Sequence, residues 1–348
     1  MPRWTAGGYV HGGRSTRPVS VVTGFLGSGK TTLLGRVLSE PSMSNTAVLV
    51  NEFGEVGLDH HLLRRVDERT VLLGGGCVCC TTREDLVEAL LELLDLDQRG
   101  EIPRLDRVVV ETTGLADPAP ILHTIFADPV LQHHFCVDLV LTTIDAVNGD
   151  LHLDRNPESV KQVAAADKIV LTKTDVAEPG SVQRLRSRLG AINPSAHVLE
   201  VAFGEADPGE LFRPDGAVSR AVPGASAGES HETGEANSVS LSFDGPVDWT
   251  AFGIWLSMLL HARGEDVLRV KGFLNVGGSG PVVVNGVQHT IHPPEHLDRW
   301  PDENHRSRIV FISRGICPDQ LLGSLEAFRG LLGARPLSLG AEQGASSP

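Results

Sequence analysis

Three groups of residues in this sequence have the types and spacing to do chemistry on a nucleotide. The first is Gly24-Phe25-Leu26-Gly27-Ser28-Gly29-Lys30-Thr31-Thr32, which fits the pattern G-x-x-x-x-G-K-[ST]. Glycines let such a loop curl until its N–H groups converge on phosphate oxygens, and the following helix adds the partial positive charge of its N-terminus. In this reading Gly27, Ser28, Gly29 and Thr32 complete the cradle, Lys30 reaches the β/γ-phosphates, and the Thr31 hydroxyl holds Mg²⁺. The second group is Glu111-Thr112-Thr113-Gly114, which closes the apolar run Val108-Val109-Val110. An acid at the C-terminal end of a buried strand can hold the Mg²⁺ shell or position an attacking water, and the Gly114 N–H can meet the γ-phosphate. The alternative is a carboxylate that caps the next helix. The third is Thr172-Lys173-Thr174-Asp175, after Ile169-Val170-Leu171. Guanine presents donors at N1 and N2 that Asp175 can accept as a pair, whereas adenine presents an acceptor at N1 and leaves the carboxylate unmatched. The Lys173 stem is long enough to cover the base. In this order along the chain, the three groups favour GTP over ATP.

Two segments between the first and second groups have a different chemistry. Asn51-Glu52-Phe53-Gly54-Glu55-Val56-Gly57-Leu58-Asp59 is dense in carboxylates, and Gly74-Gly75-Gly76-Cys77-Val78-Cys79-Cys80 holds three of the chain's five cysteines. In an extended chain Cys77 and Cys79 face one way and Cys80 the other. Two or three thiolates with a carboxylate make an incomplete or mixed tetrahedral Zn²⁺ site. A closed structural site would bring four ligands, and there is no second cysteine pair. Redox or packing roles stay open, although neighbouring cysteines close only a strained disulfide ring. Cys136 and Cys317 read as packing residues. The histidines, among them His60-His61, His133-His134 and His289, His292 and His296, offer no secure helical pairing, because Pro293-Pro294 interrupt the last two.

These residues need elements to position them. Buried parallel strands read as continuous Val/Ile/Leu runs, and such runs appear at Val19–Thr23, Ala47–Asn51, Arg107–Glu111, Asp138–Ile144, Lys168–Thr172 and His197–Val201. Helical patterns alternate with them at Thr31–Ser39, Arg83–Leu94, Pro118–Phe126, Pro157–Ala165 and Ser181–Leu189, which specifies an α/β domain with a mostly parallel sheet. Residues 1–17 read as a disordered tail, 18–204 as the P-loop domain, and the Gly/Pro/Ser-rich stretch 205–236 as a flexible linker. A smaller α+β domain follows over 237–335, with strands at Ser238–Phe243, Val267–Val276, Pro281–Asn285, Val287–Ile291 and Arg308–Ile312. Its helices fall at Trp249–His261 and Asp319–Leu332, and 336–348 is a tail. Across 348 residues, 30 Lys and Arg against 44 Asp and Glu give a net charge of −14, which argues against nucleic acid or an anionic membrane as a partner. No run approaches the ~18 apolar residues of a membrane helix, and the N-terminus lacks a signal-peptide core. A cytoplasmic protein is expected.

The chain resembles the CobW-type metallochaperone GTPases, relatives of HypB and UreG. The resemblance rests on Gly24–Thr32, Asn51–Asp59, Gly74–Cys80, Glu111–Pro118 and Leu171–Asp175, and in the second domain on Leu268–Phe273, Gly286–His289 and Arg308–Ile312. It implies a P-loop GTPase domain with a CobW-like C-terminal domain, and low GTPase activity linked to delivery of Zn²⁺ or Co²⁺ to a client metalloprotein. It also implies Cys77, Cys79 and Cys80 as metal ligands with Glu55 assisting, and leaves room for a homodimer. Thr stands at 172 where Asn is commoner, which bears on a P-loop-bracing contact rather than on the base. Two other classes compete. One is a GTP-binding, zinc-sensing adaptor with little turnover. The other is a P-loop kinase acting on a small molecule, for which the cysteine cluster has no use.

Overall fold

The computed structural model describes residues 9–11, 14–51, 83–213, 232–233 and 236–338. They fall into two compact units, one holding a parallel sheet and the other an antiparallel one.

In the first unit the strands are β1 (Tyr9–His11), β2 (Arg14–Gly24), β3 (Thr46–Asn51), β4 (Arg107–Thr112), β5 (Phe135–Asp145), β6 (Lys168–Thr172) and β7 (His197–Glu200). The sheet order is β3-β4-β2-β5-β6-β7, all parallel, with β1 antiparallel beside β2. From β2 the chain runs out to β3, returns through β4 and then fills β5, β6 and β7 on the other side. Neighbouring connections therefore leave β2 in opposite directions, and such a crevice at the C-terminal strand ends is where open α/β sheets bind ligands. The register brings the predicted residues level with it: Val22 pairs with Glu111, Gly24 with Thr143, and Asp145 with Thr172. Residues with no polar side chain to satisfy fill the strand centres, so Val19, Val21, Val22, Val108, Val109, Val110, Ile169, Val170 and Leu171 are all buried.

The helices are α1 (Lys30–Val37), α2 (Arg83–Arg99), α3 (Ala119–Ala127), α4 (Pro129–His134), α5 (Gly149–Arg155), α6 (Pro157–Ala165), α7 (Pro179–Ile192) and α8 (Pro208–Phe212). Three of these were not expected. Asp128 starts α4 by accepting the N–H groups of Val130 and Leu131, and Asp207 starts α8 by accepting that of Gly209; α5 begins at Gly149, after the turn at 146–148 that follows Asp145. Two boundaries also differ from the sequence reading. β2 begins at Arg14, inside the expected tail, because residues 14–16 pair with β1. Helix α8 lies inside the expected linker, and its Leu211 and Phe212 are buried in the core of the parallel-sheet unit.

At the N-terminal strand ends sits a buried ionic cluster. Arg107 Nη1 donates to Asp138 Oδ2 at 2.8 Å and to Ser20 Oγ at 2.6 Å, while Ser20 Oγ donates to Asp138 Oδ1 at 2.9 Å. The Arg107 guanidinium also lies 5.5 Å from the Phe212 ring centroid. Beside it the fully buried Lys168 ammonium donates to the Arg213 carbonyl at 2.8 Å and to that of Glu210.

The second unit is an antiparallel sheet in the order β12-β11-β10-β14-β9-β15. Its strands are β8 (Glu232–Thr233), β9 (Ala236–Phe243), β10 (Val267–Leu274), β11 (Val282–Val287), β12 (Thr290–Ile291), β13 (Glu295–His296), β14 (Arg308–Ser313) and β15 (Pro336–Ser338). Helices α9 (Trp249–Arg263), α10 (Pro318–Ala327) and α11 (Arg329–Leu332) accompany them. Trp255 on α9 anchors the core between Phe252 and Phe311, at ring centroid distances of 5.4 and 5.7 Å, and its indole N–H donates to Ser324 Oγ at 3.1 Å. The expected strand Val287–Ile291 is instead a tight turn, with Gln288 at φ 49° and Val287 paired to Thr290. Residues 336–338, expected to fray, pair with β9.

Truncating one partner of a buried ion pair leaves a desolvated charge behind. Asp138→Ala should therefore cost roughly 3–5 kcal/mol in urea unfolding, and Asp138→Leu combined with Arg107→Met should cost less than that single change.

Candidate functional site

The loop after β2 turns within backbone reach of β5. Gly24 has φ 139°, and a Cβ there would lie 2.3 Å from Thr143 Oγ1 and 2.4 Å from the Thr143 carbonyl oxygen, so no other residue fits. Ser28 N–H closes the turn onto the Phe25 carbonyl at 3.1 Å, and Ser28 Oγ shares a hydrogen bond with Thr143 Oγ1 at 2.6 Å. Gly27 and Gly29 both have positive φ, and α1 begins immediately afterwards at Lys30. The Lys30 ammonium is buried and curls back to donate to the carbonyls of Gly24 at 2.7 Å and Phe25 at 3.2 Å. A cation turned into its own loop this way can neutralise an oxyanion seated in that loop.

Two strand ends flank this cradle. On one side the buried Glu111 carboxylate accepts the Thr31 hydroxyl at 2.7 Å. Thr112 Oγ1 donates to Thr23 Oγ1 at 2.8 Å, tying β4 to β2 at the same level. Gly114 lies against the loop so closely that a Cβ there would be 2.5 Å from the Leu26 nitrogen. Gln162 Nε2 holds that turn through the carbonyls of Gly114 (3.2 Å) and Ala116 (3.0 Å).

On the other side are β5 and β6. Thr172 Oγ1 donates to the Ser28 carbonyl at 2.7 Å. Threonine thus supplies the bracing contact that the sequence reading questioned: the hydroxyl needs only one donor to reach a P-loop carbonyl. Lys173 stands in the left-handed region, φ 57°, and its ammonium pairs with Asp145 Oδ2 at 2.8 Å. Asp145 also accepts the Val147 N–H at 2.8 Å and Asn148 Nδ2 at 3.0 Å. Burial would raise the Asp145 carboxyl, yet the Lys173 and Asn148 hydrogen bonds, the Val147 N–H and the Lys173 charge together hold it below the ordinary carboxylate range. Asp175 is exposed, and its Oδ1 accepts the Phe203 N–H at 3.2 Å. His152 on α5 packs its ring 4.5 Å from that of Phe25, and burial holds its imidazole below its ordinary pKa, with Lys173 adding to the effect and Asp145 opposing it.

Gly27, Ser28, Gly29, Lys30, Thr31, Thr32, Glu111, Gly114, Lys173 and Asp175 are thus gathered at one edge of one sheet. Glu55, Cys77, Cys79 and Cys80, with His60 and His61, lie outside the described residues. Among the described residues no group of three or more His, Cys, Asp or Glu is placed to hold a metal ion. His133 and His134 end α4 with their rings 4.8 Å apart, His289 bonds the Leu260 carbonyl, and His292 bonds Asn285. Cys136 and Cys317 are half-buried. No helix among the described residues is long and apolar enough to cross a membrane. Sequence reasoning missed Thr143 and Asp145. For Asp145 the available signal was an acid ending the apolar run Leu139–Ile144, as Glu111 ends Val108–Val110.

Two outcomes follow from the β5–β6 side. Thr172→Val should weaken GDP binding about fivefold, the scale of one hydrogen bond, with Thr172→Asn restoring it; calorimetric titration reads both. Because the folded-state pKa of Asp145 is depressed, its stabilising contribution is present at neutral pH and is lost only as pH falls below about 3.9 and through the folded value. Lys173→Met should return that carboxyl upward, as carboxyl-carbon NMR would report, and move the loss of stability to higher pH.

Comparison with known proteins agrees with this arrangement. The CobW/HypB/UreG nucleotide-binding domain model matches residues 18–200, and the cobalamin synthesis protein CobW C-terminal domain model matches residues 236–329. The chain is 36% identical over 316 residues to the zinc chaperone YjiA of Escherichia coli, covering 89% of this chain and 98% of that protein. It is 30% identical over 337 residues to the zinc chaperone CobW of Pseudomonas aeruginosa, covering 85% and 87%. The crystal structure of Zn(II)-bound YjiA GTPase from E. coli superposes with a TM-score of 0.70 at 34% identity, covering 91% of this chain and 100% of that one. The parallel sheet with its P-loop, the separate antiparallel unit and these matches together make the chain a member of the CobW/HypB/UreG family of P-loop GTPases, with a CobW C-terminal domain.

Proposed function

We propose that the chain is a GTP-dependent zinc chaperone, in which the state of the nucleotide sets the geometry of a Cys77, Cys79 and Cys80 metal site and hydrolysis releases the metal to a client metalloprotein. The observation that carries this reading is the register at the β3–β4 edge. Val50 pairs with Glu111 and Asn51 with Thr112, and Glu111 accepts the Thr31 hydroxyl. β3 therefore ends at Asn51, one residue beyond the position that flanks Glu111, and the sequence that follows it carries Glu55 and the three cysteines. Relatives named as zinc chaperones in E. coli and P. aeruginosa support zinc as the cargo, as does the soft-ligand preference of thiolates. Co²⁺ is the second cargo such ligands would take.

Within this reading each group has a part. The P-loop backbone from Gly27 to Thr32 seats the β- and γ-phosphates, and Lys30 turns from the Gly24 carbonyl to phosphate oxygen. Thr31 and Glu111 present hard oxygen donors side by side, the set that suits Mg²⁺, which would neutralise charge on the phosphates. Glu111 orients the attacking water, and the Gly114 N–H meets the γ-phosphate. Asp175 reads guanine N1 and N2, and the Lys173 stem covers the base. A cytoplasmic location and a homodimer are compatible with this scheme.

Lys30→Ala should abolish GTP binding or turnover, because the phosphate charge loses its main counter-charge. Glu111→Gln should bind GTP nearly as wild type and cut its hydrolysis at least tenfold, the scale of general-base and water-positioning contributions; single-turnover phosphate release measures this, and unchanged cleavage would leave Glu111 a structural cap. Coupling of metal to nucleotide is reciprocal. Zn²⁺ should bind more tightly with a non-hydrolysable GTP analogue than with GDP, and Cys77, Cys79 and Cys80 changed together to Ser should erase that difference while sparing GTP binding. Equal Zn²⁺ affinity in both nucleotide states of the wild type would reduce the cysteines to a static site.

A further inference from the structure

The turn after β4 is held from behind by one buried side chain. Ala116 N–H closes that turn onto the Thr113 carbonyl at 3.1 Å, and Leu115 at its tip is exposed. Gln162 of α6 is wholly buried, and its Nε2 carries two hydrogens. That nitrogen donates to the Gly114 carbonyl at 3.2 Å and to the Ala116 carbonyl at 3.0 Å. The other end of the amide, Oε1, is buried with no hydrogen-bond partner among the described residues. A methionine or leucine would fill this space without an unmatched oxygen, so packing alone does not call for a glutamine. What the amide adds is its pair of bonds to the turn.

Those bonds fix peptide planes. The peptide bonds are trans, so each N–H points opposite to the carbonyl of the residue before it. The Thr113 carbonyl, held by Ala116 N–H, sets the direction of the Gly114 N–H, and the Gly114 carbonyl, held by Gln162, sets that of the Leu115 N–H. The turn meets the P-loop at this point, since a Cβ on Gly114 would also lie 2.6 Å from Leu26 Cδ2. Gln162 is itself anchored. Its backbone carbonyl accepts Thr142 Oγ1 at 2.9 Å, and Thr142 of β5 pairs with Thr23 near the end of β2. Next to it on α6, Lys161 pairs with Asp117 at 3.1 Å, and Asp117 Oδ1 accepts the Ala119 N–H at 3.0 Å where α3 begins. Sheet, α6 and turn thus form one connected support whose far end rests on the P-loop.

We infer that Gln162 is a positioning residue for GTP hydrolysis: by holding the Gly114 and Ala116 carbonyls, its amide presents the Gly114 N–H to the γ-phosphate. This rests on the role proposed above for Gly114, and it adds a residue of α6 that touches no part of the nucleotide. A backbone N–H placed in advance costs no reorganisation when charge develops on the transferring phosphoryl group. GDP lacks that group, so the glutamine matters to the triphosphate and not to the diphosphate.

The test uses the full chain with Mg²⁺, GDP and a non-hydrolysable GTP analogue, read by calorimetric titration and by single-turnover phosphate release from GTP. Gln162→Met keeps the volume and removes the donor. It should bind GDP within about twofold of wild type, bind the analogue about fivefold more weakly, the scale of one hydrogen bond, and slow hydrolysis at saturating GTP at least tenfold, as small misplacements at a reacting centre do. Gln162→Glu, which sets an oxygen against the two carbonyls, should do the same or worse. Gly114→Ala, whose Cβ meets the Leu26 nitrogen, tests the underlying reading and should also lose analogue affinity relative to GDP. If it does so while both Gln162 variants bind the analogue and hydrolyse GTP as wild type, the inference about Gln162 is overturned and the role of Gly114 stands. Equal weakening of GDP and the analogue in the Gln162 variants would overturn it too, leaving a structural support. If Gly114→Ala behaves as wild type while Gln162→Met still loses analogue affinity and hydrolysis, the positioning role of Gln162 is upheld and the reading of Gly114 fails.

Discussion

At Gly24 the backbone of β2 comes so near to Thr143 of β5 that a single methyl group would collide with both side chain and carbonyl. That approach lets the loop fold back over the sheet edge, and Ser28, Lys30 and Thr31 take their partners from it. Ser28 meets the hydroxyl of the same Thr143, Lys30 meets the carbonyl of Gly24 itself, and Thr31 meets Glu111 on the next strand. Thr172 closes the ring by reaching the Ser28 carbonyl from β6. Four parallel strands thus converge on a loop of nine residues, and the convergence requires the register of all four to be right. On β2 the buried Ser20 hydroxyl, bonded to Asp138 of β5 and to Arg107 of β4, pins that register where the apolar side chains around it would tolerate a slip.

Charge is distributed along the strands in two tiers. At the C-terminal ends, Lys30, Lys173, Glu111 and Asp145 sit in hydrogen-bonded contacts that an incoming polyphosphate or base can exchange for stronger ones. At the N-terminal ends, Arg107, Asp138 and Lys168 are buried with partners already satisfied within the fold. The first tier can respond to ligand because its acceptors include neutral carbonyls. The second cannot respond without exposing a charge to apolar surroundings. Function and stability thus occupy opposite ends of the same strands.

Much of the first tier was legible in the sequence because it is written in local pattern. Glycine spacing, a lysine at a fixed position and an acid ending an apolar run are each readable without tertiary contacts. Asp145 was not, for a physical reason: its place there depends on a partner 28 residues away, which a short window does not contain. Thr172 shows the converse, a departure from the commoner residue whose hydroxyl makes the contact all the same. The linker was misjudged at its start because a polar, Gly- and Pro-containing stretch conceals one apolar pair, Leu211-Phe212, and the Asp207-Pro208 helix start before it. The turn at Gln288 was hidden because its central residues are Gln288 and His289, while the Asn285-Gly286 pair that would mark a turn lies inside β11.

The buried Lys168 bears on where this chain can be divided. Its ammonium is satisfied by carbonyls at the end of α8, and Phe212 lies over the Arg107 guanidinium. A GTPase fragment ended at residue 204, the boundary that composition suggests, would strip a buried cation of those acceptors and an ion pair of its cover. Ended after Arg213, it keeps both. For gene-fragment expression, split reporters or domain grafting, residue 204 is the wrong stop codon position, and the right one is about ten residues later, set by a lysine at the far end of β6.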